Sequence, residues 1–239
     1  MNGMIFAAGL GTRLRPLTND IPKALVMLKG KPLLERIIIK MVDLGIKRIV
    51  VNVHHFSDKV VQFISSKNWK CDILISDESG DLLDTGGGLL YAKDLFEDGE
   101  DILIHNVDIL SDCDIKSLIE SHSNSNALAT LLVRSSFEDR VLTVYNDKLT
   151  GWRNRYTGET KISNDDFYKS EFVGFTGVQI VSSEIFKYIN EIGNFSIIDM
   201  YLRLARNKQI ACRLDNESFF MDLGTIENIE KASAESNFL

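Results

Sequence analysis

The chain has 239 residues, 44% of them hydrophobic and 26% charged, with 27 Lys and Arg against 34 Asp and Glu for a net charge of −7. That composition excludes a disordered chain, and the length allows a buried core without metal or disulfide staples. The acidic balance excludes a general nucleic-acid binder, which needs a basic face for phosphates. Charge is nevertheless uneven. Residues 1–36 hold six basic residues (Arg13, Arg15, Lys23, Lys29, Lys31, Arg36), two acidic ones and all three prolines. Cys71, Cys113 and Cys212 are odd in number and far apart, so neither a disulfide framework nor a zinc site is signalled, and reduced thiols in the cytoplasm are expected. No basic-then-apolar leader opens the chain, and no apolar run approaches the ~20 residues of a membrane helix, so no membrane partner is expected.

In chain order, residues 4–8 read as a buried strand and 9–24 as a loop. Leu34, Ile37, Ile38, Met41 and Val42 recur at helical spacing and predict a helix over 33–44 that ends at Gly45. A strand at 48–53, an amphipathic helix at 57–66 and a strand at 72–75 follow. The glycines at 86–88 are expected to open a helix to about residue 95, before a strand at 101–105. Alternation of strands and helices, with near-continuously apolar strands, predicts a mostly parallel central sheet flanked by helices. After about residue 126 the pattern becomes β-rich, with strands at 127–133, 141–145, 148–152 and 172–181. Helices at 183–191 and 196–206, a strand pair near 209–221 and a last helix from Ile226 complete it. With no repeat and no low-complexity linker, 1–239 reads as one α/β domain with parts at about 1–125 and 126–239.

The loop is the most informative stretch. Small residues Ala7, Ala8, Gly9 and Gly11 let backbone approach a bulky anion, because a Cβ would obstruct the N–H groups. Thr12 offers a hydroxyl and Arg13 a forked cation suited to phosphate oxygens. Lys23, between Pro22 and an apolar stretch, is a fixed point charge. Two familiar phosphate motifs fail. The dinucleotide fingerprint requires glycine at Leu14, and a P-loop requires glycine at Leu25 and Ser or Thr at Pro32.

These residues, with Leu14, Pro16, Thr18, Pro22, Leu25 and Pro32, match the pattern A-A-G-x-G-T-R-L-x-P-x-T followed by P-K-x-L-x-x-x-x-x-x-P. The chain therefore resembles the sugar-1-phosphate nucleotidylyltransferases over most of its length. The resemblance implies a Rossmann-like nucleotidyltransferase fold with a β-rich sugar-binding portion. It implies a loop wrapped round a triphosphate, with Arg13 on the leaving pyrophosphate and Lys23 on the reacting phosphate.

Other motifs fit the same family. Thr85 and Gly86, in Asp-Thr-Gly-Gly-Gly, resemble its nucleobase loop, in a form most like the N-acetylmuramate-1-phosphate uridylyltransferase and mannose-1-phosphate guanylyltransferase branches, which favours UTP or GTP. The bland reading is a helix N-terminus packed tightly on the sheet. Asn106-Val107-Asp108 ends a strand at the carboxyl edge, where open α/β folds place ligands. Asp108 suits a Mg2+ ion that also binds phosphate, although an aspartate there also caps loops. Val107 stands where the family has Gly or Ala and is expected to narrow the sugar side. Asp222, in Asp-x-Gly-Thr, is the implied second metal carboxylate, with Thr225 capping the last helix.

Asn106, Glu171, Thr176 and Gly177 are the implied sugar contacts, although 172–178 also reads as an ordinary strand with a bulge glycine. The family's E-K-P lysine is absent, leaving Arg153 and Lys169 as equal substitutes. Adjacent His54 and His55 point to opposite sides of an extended chain and do not share a metal. The implied partners are an NTP and a sugar 1-phosphate, with no nucleic acid and no membrane, and a homo-oligomer is compatible. Two other functions remain open: a cytidylyltransferase acting on phosphocholine or another non-sugar phosphate, and a catalytically silent nucleotide-sugar sensor.

Overall fold

Asn2–Phe6 forms strand β1, buried at every residue. It stops before Ala7, whose N–H donates to the Asn52 side chain (2.7 Å) rather than to the backbone of a neighbouring strand. The computed structural model describes residues 1–135 and 139–235. A short hairpin (β2, Met27–Leu28; β3, Lys31–Pro32) leads into α1 (Leu33–Asp43), which buries Leu34, Ile37, Ile38 and Met41 as their spacing predicts. Gly45, at φ 86°, stops the helix. Its N–H and that of Ile46 return to the carbonyls of Val42 and Met41 (2.9 and 3.1 Å), a Schellman closure. Next come β4 (Arg48–Val53), α2 (Ser57–Ser65), β5 (Asp72–Asp77), α3 (Asp84–Tyr91) and β6 (Ile102–Asn106).

The strands β5, β4, β1 and β6, in that order, form a continuous parallel part of the sheet, and one further parallel pair follows in the second half. Helices cross between these strands, as parallel neighbours require. The second half adds β7 (Ile109–Ser111), α4 (Ile115–Ser123), β8 (Ala129–Ser135), β9 (Arg140–Tyr145), β10 (Lys148–Asn154), β11 (Thr160–Ile162) and β12 (Glu171–Val181). It ends with α5 (Ile197–Leu204), β13 (Ile210–Leu214), β14 (Phe220–Asp222) and α6 (Ile226–Ala234). β12 docks antiparallel on β6 and so continues the same sheet. Asn146 and Asp147, at φ 48° and 56°, make the tight turn joining β9 to β10. Because β9 also pairs with β12, the strands β12, β8, β13, β10 and β9 close into a ring.

Side chains pack on both faces of the sheet. One face buries Leu34, Ile38, Val60, Leu118 and Ile229 from α1, α2, α4 and α6; the other buries Leu89, Met200 and Tyr201 from α3 and α5. The helix expected over 183–191 is only a 3-10 turn, Ser183–Tyr188. Beyond it the chain is a strap held by Arg203, whose Nε and Nη2 donate to Glu191 (2.6 and 2.8 Å) and whose Nη2 donates to the Tyr188 carbonyl (2.9 Å). All three cysteines are free, and no helix among the described residues is long and apolar enough to cross a membrane.

Candidate active site

The carboxyl ends of β1 and β6 open into two cavities that meet. The first, about 370 Å3, is lined by Ala8, Gly9, Lys23, Asn52 and Thr85 among others. The second, about 680 Å3, is lined by Arg13, Arg134, Thr176, Gly177, Phe220 and Asp222 among others. Asn106 and Asp108 belong to both. A bulge in β12 shapes this junction: Gly177 sits at φ 79°, and a Cβ there would lie 2.6 Å from Asn106 Nδ2.

The N-terminal loop brings two cations to the junction. Gly11, at φ 63°, turns the chain, and its carbonyl accepts from Thr18 Oγ1 (2.8 Å). Its bare Cα packs against Lys23, since a Cβ would lie 3.1 Å from the lysine Cβ. Arg13 and Lys23 stand on separate 3-10 turns, Thr12–Leu14 and Lys23–Leu25. Lys23 is ion-paired with Asp108, and both side chains are only 13% exposed, so solvent screens the pair weakly. Arg13 Nη2 lies 3.8 Å from Asp222 Oδ2 in a more open setting.

The carboxylates come together because β14 pairs antiparallel with β7, setting Asp222 opposite Ile109, while the Leu223 N–H donates to the Asp108 carbonyl (2.8 Å). The bare Cα of Gly224 lets both side chains come close, since a Cβ would lie 2.6 Å from Arg13 Nη2 and 2.7 Å from Asp222 Oδ1. Thr225 caps α6, its Oγ1 accepting from the Asn228 N–H (3.3 Å).

A buried polar chain supports the loop from below. Asn52 Oδ1 accepts from the Ala7 N–H, and Asn52 Nδ2 donates to Glu78 Oε1 (2.8 Å). Burial raises the Glu78 carboxyl above the usual carboxylate range, against the hydrogen bond from Asn52. Gly88 packs on this brace, and a Cβ there would lie 2.7 Å from Glu78 Oε1. Gly86 and Gly87 face the strap instead: a Cβ on Gly86 would strike the Phe195 ring, and one on Gly87 the Gly193 carbonyl. Both glycine N–H groups donate to the Phe195 carbonyl (2.9 and 3.2 Å), and Thr85 Oγ1 accepts from the Ile197 N–H (3.0 Å).

Behind the site, His105 is fully buried, and its Nδ1 donates to the Asn106 carbonyl (2.7 Å). Burial, reinforced by the positive charge of Lys40, lowers its pKa to about 4, so the ring is neutral. The unfolded chain, with an ordinary histidine near 6.5, therefore takes up more protons between those two values. Stability contributed by His105 is complete above pH 6.5 and is lost as pH falls towards 4. Compared with His105→Gln, the parent should lose on the order of 3 kcal/mol more between pH 7 and pH 4 in denaturant titrations. Parallel pH dependences for the two proteins would refute the buried neutral ring.

Residues 2–140 match the family described as Nucleotidyl transferase, which is more than half of the chain. The chain belongs to the nucleotidyl transferase family. It is 31% identical over 232 residues to the N-acetylmuramate alpha-1-phosphate uridylyltransferase of Caulobacter vibrioides, covering 92% of this chain and 90% of that protein. It is 30% identical over 166 residues to a probable mannose-1-phosphate guanylyltransferase of Oryza sativa subsp. japonica, covering 68% of this chain but only 46% of that longer protein. Among solved structures, the putative glucose-1-phosphate thymidylyltransferase of Bacillus anthracis superposes with a TM-score of 0.80 at 22% identity, covering 98% of this chain and 94% of that one. The Rossmann-like α/β fold is thereby shown.

In this nucleotidyl transferase the structure gathers Ala8, Gly9, Arg13, Lys23, Asn106, Asp108, Thr176, Gly177 and Asp222 around the joined cavities. Several expectations need correction. The Ala7 N–H is consumed by Asn52 and is not free for a nucleotide. Gly86 packs against Phe195, so its bare Cα is accounted for by the strap rather than by packing on the sheet. Thr85 reaches the first cavity, but its hydroxyl is tied to the N-terminus of α5. Thr176 is likewise committed, donating to the Leu132 carbonyl (2.8 Å).

Glu171 lines a different cleft, with Tyr145 and Lys169, because β12 carries it away from the Gly177 bulge. Val107 is buried in the core and borders the first cavity, so it does not narrow the second. Neither Arg153 nor Lys169 borders either cavity: Arg153 lies over the Phe172 ring, and Lys169 pairs with Asp166 (3.0 Å). His54 and His55 are loop residues, as expected, and His54 Nδ1 lies 2.6 Å from the Glu78 carbonyl. Asn52, Glu78 and Arg134 are additions. Asn52 was visible as the one polar residue within the apolar run of β4, whereas nothing in the sequence marks Glu78 or Arg134.

Proposed function

We propose that the protein transfers a nucleotidyl group from an NTP, with UTP or GTP preferred, to a sugar 1-phosphate, giving an NDP-sugar and pyrophosphate. The observation that carries this reading is the pair of cation–carboxylate contacts, Lys23 with Asp108 and Arg13 with Asp222, at the junction of two cavities. The first cavity suits the nucleoside and the second the sugar. A phosphate oxygen of the sugar 1-phosphate attacks the α-phosphorus in line, the bond from that phosphorus to the β-phosphate oxygen breaks, and pyrophosphate leaves. Lys23 holds the reacting phosphate and Arg13 neutralises charge on the departing pyrophosphate. Positioning and charge neutralisation suffice for such a transfer.

Asp108 and Asp222 fit Mg2+, since both are hard oxygen donors open to the second cavity and held side by side by the β7–β14 ribbon. When bound, the ion would supply charge neutralisation for the phosphate oxygens. The preference for UTP or GTP rests on relatives named as uridylyl- and guanylyltransferases. Three free thiols accord with action in a reducing cytoplasm.

The test combines thermal shift with UTP, GTP, CTP and dTTP plus Mg2+ with pyrophosphate release over a panel of sugar 1-phosphates. Stabilisation by UTP or GTP and release dependent on a sugar 1-phosphate are expected. Release with phosphocholine and none with any sugar would select the cytidylyltransferase alternative. Nucleotide binding without any turnover would select the sensor.

A further inference from the structure

A single peptide unit at the end of β1 is gripped from both sides. The Phe6 carbonyl accepts from the Val107 N–H (3.1 Å), and the Ala7 N–H, pointing the opposite way from the same trans peptide, donates to Asn52 Oδ1 (2.7 Å). The first bond fixes the segment that carries Asn106 and Asp108. Just past the second come Ala8 and Gly9, which line the first cavity and open the loop bearing Arg13 and Lys23. A peptide is a rigid plane, so a tilt at one of its hydrogen bonds is felt at the other. The glycine loop and Asp108 are therefore set against each other across one plane.

The angle of that plane depends on Asn52, a buried side chain near the end of β4. With Oδ1 on the Ala7 N–H and Nδ2 on Glu78 Oε1 (2.8 Å), both ends of its amide are used. Only a side chain with an acceptor and a donor at its tip serves both partners. Glu78 is itself anchored, its N–H donating to the Val53 carbonyl (2.8 Å). Helix α3 closes over the pair at Gly88, where a Cβ would lie 2.7 Å from Glu78 Oε1 and 3.0 Å from Asn52 Nδ2. An apolar side chain would fill the same space, but it would leave the Ala7 N–H without its acceptor and the peptide free to tilt.

Resting on the transfer reaction proposed above, we propose that Asn52 is a positioning residue for it: its amide, oriented by Glu78, holds the Phe6–Ala7 peptide at the angle that brings the glycine loop and Asp108 to the same phosphates. Asn52 acts on the geometry of the in-line attack and carries none of the charge that the attack develops. A misplacement of about 1 Å costs about a hundredfold in rate, so a small tilt of the plane is enough.

The experiment reverses the polarity of the Asn52–Glu78 bond. Asn52→Asp sets two carboxyl groups against each other. Adding Glu78→Gln lets the new amide donate to the new carboxylate, whose second oxygen still accepts from the Ala7 N–H. Pyrophosphate release is measured for the parent, Asn52→Asp, Glu78→Gln and the double variant over a range of NTP and sugar 1-phosphate concentrations, with melting curves on the same preparations. Asn52→Asp should lose about tenfold or more in kcat with a smaller change in KM for the NTP, and the double variant should recover most of that kcat. An Asn52→Asp enzyme within about twofold of the parent in kcat would overturn the proposal, as would a loss confined to KM. So would a double variant no faster than Asn52→Asp. Should Asn52→Asp fail to fold, Gly88→Ala carries the test, because its Cβ displaces the Glu78–Asn52 pair without removing a polar group: a lowered kcat supports the proposal and a parental one overturns it. Absence of parental turnover with every sugar 1-phosphate overturns the transfer reaction and this inference together, a result distinct from parental turnover that Asn52→Asp leaves unchanged.

Discussion

Asp108→Asn is expected to lower turnover by about a thousandfold while leaving the protein folded. Asparagine keeps the shape of the side chain, and the contact that fastens the β7–β14 ribbon at this point uses the Asp108 backbone carbonyl, which the substitution does not touch. What is lost is the negative charge. Lys23 would keep its place on the loop without a counter-charge, and the site would retain one carboxylate, Asp222, for a divalent cation. Loss of a largely buried ion pair should cost about 1–3 kcal/mol of stability. Pyrophosphate release at saturating substrates, with a melting curve on the same preparation, separates the two effects. Turnover close to that of the parent would remove Asp108 from the chemistry.

Gly87→Ala distinguishes two accounts of the triple glycine by the sign of its effect. Gly86, Gly87 and Gly88 lie inside α3, where each glycine costs about 1 kcal/mol relative to alanine. If they served only as a bare platform for a ligand, alanine would stabilise the free protein by about that much. The structure demands the reverse, because a Cβ on Gly87 would press into the carbonyl of Gly193, and a backbone atom cannot swing aside as a side-chain tip can. A net destabilisation of about 2–3 kcal/mol is expected in urea titrations. A more stable variant would refute the packing account.

The parts legible in the sequence are those carried by local spacing. The stripe of α1, the glycine stop at Gly45, and the loop bearing Gly11, Arg13 and Lys23 all follow from residues a few positions apart. The parallel strands β1, β4 and β6 were equally visible, being apolar runs separated by helical spacing. What was not legible depends on partners far along the chain. Gly86 and Gly87 owe their identity to a strap more than a hundred residues later, and β7 with β14 is too short to show a pattern. A motif match placed Glu171 with the sugar contacts, but two strand residues separated by a bulge can end in different clefts.

The closed ring of β12, β8, β13, β10 and β9 bears on how such an enzyme could change its acceptor. Arg134 and Gly177 sit on β8 and β12, adjacent members of that ring, so neither strand has a free margin along which to slide. Widening the cleft by moving backbone would mean breaking hydrogen bonds on both sides of a strand at once. Exchange of single side chains on this frame costs far less, so new acceptors are most accessible through substitutions at positions such as Arg134 and Phe175. The frame works as a fixed mould with replaceable studs.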